Sequence, residues 1–132
     1  MIVALQTDGM TTRLWLIKPG APAPAGPTVE WDSGRALSDE LLGRIQDMVK
    51  QAGAELTDLT GLIVFSGPGS FTSLRIGHTV ANALADTLAV PVVGARGDDW
   101  LAQGLKALPH ARPGQPVLPY YGGEANITRP KA

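Results

Sequence analysis

An α/β domain, built on a five-stranded mixed sheet with flanking helices, is the fold the sequence predicts. Three observations carry that expectation. Three short β-favouring segments follow one another between Ile2 and Asp32. Strand and helix patterns then alternate from Ser38 to Leu108. Strands in direct succession favour antiparallel pairing, whereas strands separated by helices favour parallel pairing, so the sheet should contain both.

Ile2 to Thr7 is short, apolar and closed by polar residues, and reads as a buried strand. Asp8-Gly9 is a turn signal, and Thr11 to Ile17 supplies the second strand of a hairpin. Alternation places Trp15 and Ile17 on one face and Leu14 and Leu16 on the other. Pro19 to Pro27 holds four prolines and reads as an exposed connection. Thr28 to Asp32 is the third strand. Ser38 is expected to cap the first helix, with Asp39 and Glu40 at its positive end and Gly53 as its stop. Leu37, Leu41, Ile45, Met48 and Ala52 follow helical spacing there, flanked by Leu42 and Val49. Leu62 to Phe65 reads as a central strand, Thr72 to Leu88 as a second helix ended before Pro91, and Val92-Val93 as a short strand. Asp98 is expected to cap a third helix through Trp100, Leu101, Leu105 and Leu108. Pro109 to Ala132 should hold little regular structure, pinned by Val117, Leu118, Tyr120 and Tyr121. This order matches a ribonuclease-H-like core, one half of the actin and sugar-kinase architecture.

A chain of 132 residues with 44% apolar composition suits one compact domain of limited core. A net charge of −1 argues against gripping nucleic acid through the chain's own surface, which needs a clustered basic face. With no cysteine there is no disulfide, thiol catalysis or thiolate metal site. The apolar run from Met1 to Leu5 is too short for a signal peptide or a membrane span, so a cytoplasmic location with no membrane partner is expected.

Gly67-Pro68-Gly69-Ser70 lies between a strand and a helix. That context suits an anion site, because helix N-termini offer unpaired N–H groups. It suits equally a tight turn with glycines where side chains would clash. The spacing is neither a Walker A loop nor a dinucleotide fingerprint. Phe71 and Thr72 continue into the helix, where Arg75 opposes the dipole and calls for a compensating partner. Ser73, Gly77, Ala81 and Ala85 then draw a stripe of small side chains along that helix, with Leu74, Ile76, Val80, Leu84 and Leu88 on its other faces. Such a stripe lets another backbone approach closely. It is buried either by the sheet and third helix or by a second subunit.

The run GPGSFTSLRIG resembles the signature of the TsaB (YeaZ) family, which usually reads GPGSFTGLRIG, with Ser73 the one departure. ALADTLAVPVVG, DLTGLIVFSGPGS and the closing YYGGEANITRPK are similar to the family's surrounding segments. The resemblance covers residues 1–108 and the tail 109–132, and it leaves the family's usual second domain without a counterpart. It implies a non-catalytic subunit of the machinery that makes threonylcarbamoyladenosine in tRNA. Such a subunit would bind the catalytic TsaD through the first and second helices, here Leu41, Ile45, Met48, Ser73, Gly77, Ala81 and Ala85. A TsaE-type ATPase would be a further member, tRNA would be reached only through the complex, and the same surface would form a homodimer without TsaD. Where family members carry an acidic residue in a first-strand Asp-Thr-Ser, this chain has Gln6-Thr7-Asp8, and Gln6 cannot supply the carboxylate that orients Mg²⁺.

No catalytic residue, metal site or cofactor is expected. His78 and His110 lie 32 positions apart, unlike the paired histidines that TsaD-type proteins place on one helix. His78 reads as a surface or helix-interface residue. Ser66 and Ser70 lack an evident base, and Asp98-Asp99 are adjacent and do not converge. Two alternatives stay open: an actin-like nucleotide-binding phosphotransferase fragment using the Gly67–Thr72 loop, and a structural homodimer with no TsaD partner.

Overall fold

A computed structural model describes residues 1–122 of the chain. The five strands are β1 (Ile2–Gln6), β2 (Thr11–Ile17), β3 (Val29–Asp32), β4 (Gly61–Phe65) and β5 (Val92–Ala95). The helices are α1 (Leu37–Gln51), α2 (Phe71–Leu88) and α3 (Trp100–Ala107). The strands form one sheet in the order β3-β2-β1-β4-β5. β1 pairs antiparallel with β2, from Ile2 against Ile17 to Gln6 against Arg13. β2 pairs antiparallel with β3. β1 with β4, and β4 with β5, are parallel. The mixed sheet expected from the element order is therefore present, with β1 at its centre.

Alternation along the strands sends two sets of side chains to two cores. Val3, Leu5, Leu14, Leu62 and Val64 pack under α1 and α2, together with Leu37, Leu41, Ile45 and Met48. Ile2, Ala4, Trp15, Ile17 and Ile63 pack with Trp100 and Leu108 on the other face. There Trp100 meets Trp15 and Phe65 edge-on, with ring centroids 5.1 and 5.5 Å apart. α3 thus covers the face opposite α2, and the expectation that it would help bury α2 is corrected.

Two capping expectations are also corrected. A 3-10 turn at Gly34–Ala36 leads directly into α1, so Ala36 takes the cap position and Ser38 is already inside the helix. The buried Ser33 hydroxyl lies 2.6 Å from that of Thr12, which ties this entry to β2. Asp99, not Asp98, precedes α3, and its carboxylate accepts from the Gln103 side chain at 2.5 Å rather than from the helix backbone. Gly53 ends α1 with φ +77°, in the left-handed conformation that favours glycine.

After α3 a short 3-10 turn, Leu108–His110, gives way to an extended segment without strands up to Gly122. Val117 and Tyr120 are pinned to the body, but Leu118 is 82% exposed, against expectation. Most of the closing run YYGGEANITRPK lies outside the described residues.

α3 approaches β4 so closely that a Cβ on Gly104 would run into Ile63 Cγ2, whereas Gly43 of α1 has open space around it. Gly104→Ala is therefore expected to destabilise the fold by about 1–3 kcal/mol through overpacking. Gly43→Ala should stabilise it by about 1 kcal/mol through helix propensity. Urea unfolding of both variants checks the opposite signs.

Candidate functional site

Two surfaces hold the residues singled out in the sequence: the end of the sheet where β1, β4 and β5 finish, and the outer side of α1 and α2. The first is built around the glycine-rich loop. Ser70 N–H donates to the Asp8 carbonyl at 2.8 Å, so the loop is sewn to the β1–β2 turn. A Cβ on Gly69 would lie 2.5 Å from that same carbonyl oxygen. Gly67 has φ +123°, and a side chain there would strike the Tyr120 carbonyl. Pro68 follows it through a cis peptide bond. The loop is thus the tight turn of the two readings offered above, with its glycines facing backbone on both sides.

Ser70 caps α2, its hydroxyl accepting from the Ser73 N–H at 3.5 Å. Phe71 and Thr72 are exposed on the first turn. The partner that Arg75 required is the Phe71 ring, with the guanidinium 5.3 Å from its centroid. Gln6 and Asp8 share one side of the β1 end, Gln6 Nε2 lying 3.5 Å from Asp8 Oδ2. With Phe65, Pro68, Gly97, Asp98 and Trp100 they border an open cleft on the α3 side. Two carboxylates at its mouth make a poor electrostatic setting for a phosphate without a bridging cation.

The small-residue stripe turns inward. A Cβ on Gly77 would collide with the Thr7 hydroxyl, so the α2 backbone lies directly on the end of β1. Ala81 and Ala85 are 0% and 3% exposed. Leu41, Ile45 and Met48 of α1 are buried as well, and Ser73 is half-buried. The expectation that these residues form a partner surface is corrected: Leu41, Ile45, Met48, Gly77, Ala81 and Ala85 face the chain's own sheet. The close approach that small side chains permit takes place within the monomer.

What α1 and α2 show to solvent is a different set. Ser38, Thr72, Arg75, Ile76, Thr79 and Val80 line one groove of about 350 Å³. A second continues from it past Leu42, Leu56, Ala83 and Thr87. Leu42 is 44% exposed, and Ile76 and Val80 are half-buried. The face is apolar with threonine hydroxyls at intervals and carries one cation, Arg75. Leu42 and Val80 are visible in the sequence as apolar residues beside the main stripes, but nothing local tells which side of so apolar a helix meets the sheet.

His78, expected at a surface or helix interface, is 2% exposed. Its Nδ1 lies 2.8 Å from the Leu74 carbonyl, which can only accept, so Nδ1 carries the proton. Nε2 is buried with no partner. Burial pushes the imidazole pKa down, and the bond to Leu74 only partly opposes this. Among the described residues no three His, Asp or Glu side chains converge in a way that could hold a metal ion. No helix among them is long and apolar enough to cross a membrane.

Several known proteins are similar to this chain. The family model described as "TsaD: tRNA N6-adenosine threonylcarbamoyltransferase" matches residues 30–127. The tRNA threonylcarbamoyladenosine biosynthesis protein TsaB of Escherichia coli (strain K12) is 37% identical over 70 residues, 53% of this chain and 30% of that protein. A tRNA N6-adenosine threonylcarbamoyltransferase of Methylobacillus flagellatus is 30% identical over 92 residues, 66% of this chain and 26% of that protein. YeaZ from Pseudomonas aeruginosa superposes with a TM-score of 0.64 at 26% identity, over 72% of this chain and 43% of the solved one. The matched segments therefore span less than half the length of each of these relatives.

The folded-state pKa of His78 lies below the ordinary 6.5, so between the two values the unfolded chain binds the proton that the native chain refuses. Stability should be full above pH 6.5 and fall as pH drops below it, by at most about 1.4 kcal/mol per pH unit. Urea unfolding at pH 7.5, 6.5 and 5.5 should show this loss in the wild type and a shallower one in His78→Gln.

Proposed function

The chain belongs to the TsaB (YeaZ) family of tRNA threonylcarbamoyladenosine biosynthesis proteins, and on that premise we propose that it is a non-catalytic scaffold that docks a TsaD-type subunit on the outer face of α1 and α2. The observation that carries this reading is the continuous apolar groove from Ile76 and Val80 to Leu42 and Leu56, left open to solvent by both helices. An apolar strip of this kind, bordered by hydroxyls and one arginine, suits a helix of another subunit laid along it. The stripe residues beneath it act at one remove, by seating α2 on the sheet and fixing the groove's floor.

In this reading the chemistry belongs to the partner. Gln6 stands where a carboxylate would orient Mg²⁺, and the glycine-rich loop is committed to backbone packing against Asp8 and Tyr120. Threonylcarbamoyl transfer to tRNA adenosine would take place on the TsaD-type subunit in the cytoplasm. A TsaE-type ATPase would join the assembly, and tRNA would be met only through it. In the absence of TsaD the same groove would pair with a second copy.

The nucleotide-binding alternative has the cleft beside Asp8 and Asp98 as its site. Calorimetric titration of the chain with ATP and Mg²⁺ is expected to give no binding heat, and saturable heat would favour the alternative.

Substituting two neighbouring α2 residues separates surface from core. Val80→Glu should leave a folded monomer and abolish co-purification with the organism's TsaD, because it puts a charge in the groove. Ala81→Glu should unfold the chain, since an unpaired charge at a fully buried site costs several kcal/mol. Circular dichroism and pull-down of the two variants check this. Unimpaired TsaD capture by a folded Val80→Glu chain would count against the groove as the docking surface.

A further inference from the structure

Beside the docking groove on α2, the chain holds a segment of itself as if it were a bound peptide. Asn82, half-buried on α2, uses both ends of its amide on one residue of the tail. Its Nδ2 donates to the Val117 carbonyl at 2.9 Å, and its Oδ1 accepts the Val117 N–H at 2.9 Å. That is the pairing one strand offers another, supplied here by a side chain, and it reads backbone rather than sequence. The Val117 side chain packs against the α1–α2 core and rests beside Gly94 of β5, where a Cβ would be in ordinary contact with it at 3.8 Å.

Three residues on, Tyr120 N–H donates to the Ser66 carbonyl at 2.7 Å. Arg96 lies 3.8 Å from the centroid of the Tyr120 ring, and Tyr121 stacks on Phe71 at 4.6 Å. Between these anchors Leu118 stands in solvent, 82% exposed. Pro116 and Pro119 hold the segment extended and have no N–H of their own to satisfy. So the segment touches the body at intervals, through backbone and aromatic contacts, with no regular structure of its own.

We infer that the face formed by Asn82, Gly94, Arg96 and the glycine-rich loop is a peptide-binding groove occupied in cis by residues 116–121. Its ligand class is an extended, proline-bearing segment that ends in an aromatic pair. Release of this ligand frees the Ser66 carbonyl and uncovers Gly67, so the occupant governs access to the loop. The TsaD-docking reading uses the neighbouring groove of α2, and Phe71 touches both, since Arg75 lies over the ring on which Tyr121 stacks.

The test uses a doubly substituted full chain, Val117→Asp with Tyr120→Gly, which weakens the ligand and leaves Asn82 and Arg96 intact. A fluorescent peptide of the wild-type sequence from Gln115 to Gly122 should bind this variant at least about tenfold more tightly than it binds the wild-type chain, where the tethered segment competes at high effective concentration. Adding Asn82→Ala should abolish that binding. A folded variant that binds the peptide no better than wild type overturns the inference. Should the variant not fold, hydrogen exchange on full-length Asn82→Ala decides. Val117 and Tyr120 amides should exchange about tenfold faster with β1 and β2 unchanged. Unchanged protection at Val117 and Tyr120, or a uniform loss across the sheet, overturns the inference.

Discussion

The rest of the structure depends on one close approach, that of the α2 backbone to the end of β1 at Gly77 and Thr7. Not even a Cβ on Gly77 fits between them, so α2 lies low on the sheet there. Three consequences follow from that height. The short side chains of Ala81 and Ala85 fill the remaining space without strain. The loop before α2 must turn sharply, which sets Gly67 and Gly69 against backbone. The opposite side of α2, with Thr79, Val80 and Ala83, is raised beside α1 as a free apolar face.

The same geometry decides what the glycine-rich loop does. Glycines between a strand and a helix serve two purposes in proteins: they bare N–H groups to an anion, or they let backbones touch. Here the Ser70 N–H is spent on Asp8, and the Tyr120 backbone lies over Gly67. With Gln6 at the end of the first strand and the loop committed to packing, the end of the sheet offers no free N–H cradle at Ser70. The scaffold role proposed above asks only for rigid helices and for no charged pocket.

Most of the architecture was legible in the sequence because it is local or periodic. Alternation in β2 assigned Trp15 and Leu14 to opposite cores, and the structure has them there. The element order announced antiparallel pairing before α1 and parallel pairing after it. Caps were less legible. Ser38 and Asp98 are good capping residues by type, but the chain enters both helices through turns held by other contacts, so the helices begin a residue or more away. The contacts of the tail could not be read at all, because nothing in Val117 or Tyr120 names Asn82 or Ser66 as a partner.

By itself the sequence determined the sheet, the helices and the family, since propensity, period and the GPGSFTSLRIG run are properties of short stretches. It also showed that some backbone must come very close to α2 along Ser73, Gly77, Ala81 and Ala85. Only the tertiary structure decided that this backbone is the chain's own β1, which moves the candidate interface to Leu42, Ile76, Thr79 and Val80. The physical reason is that steric permission is local while its use is not. A small side chain allows an approach from any quarter, and which neighbour makes it depends on how the whole sheet is assembled.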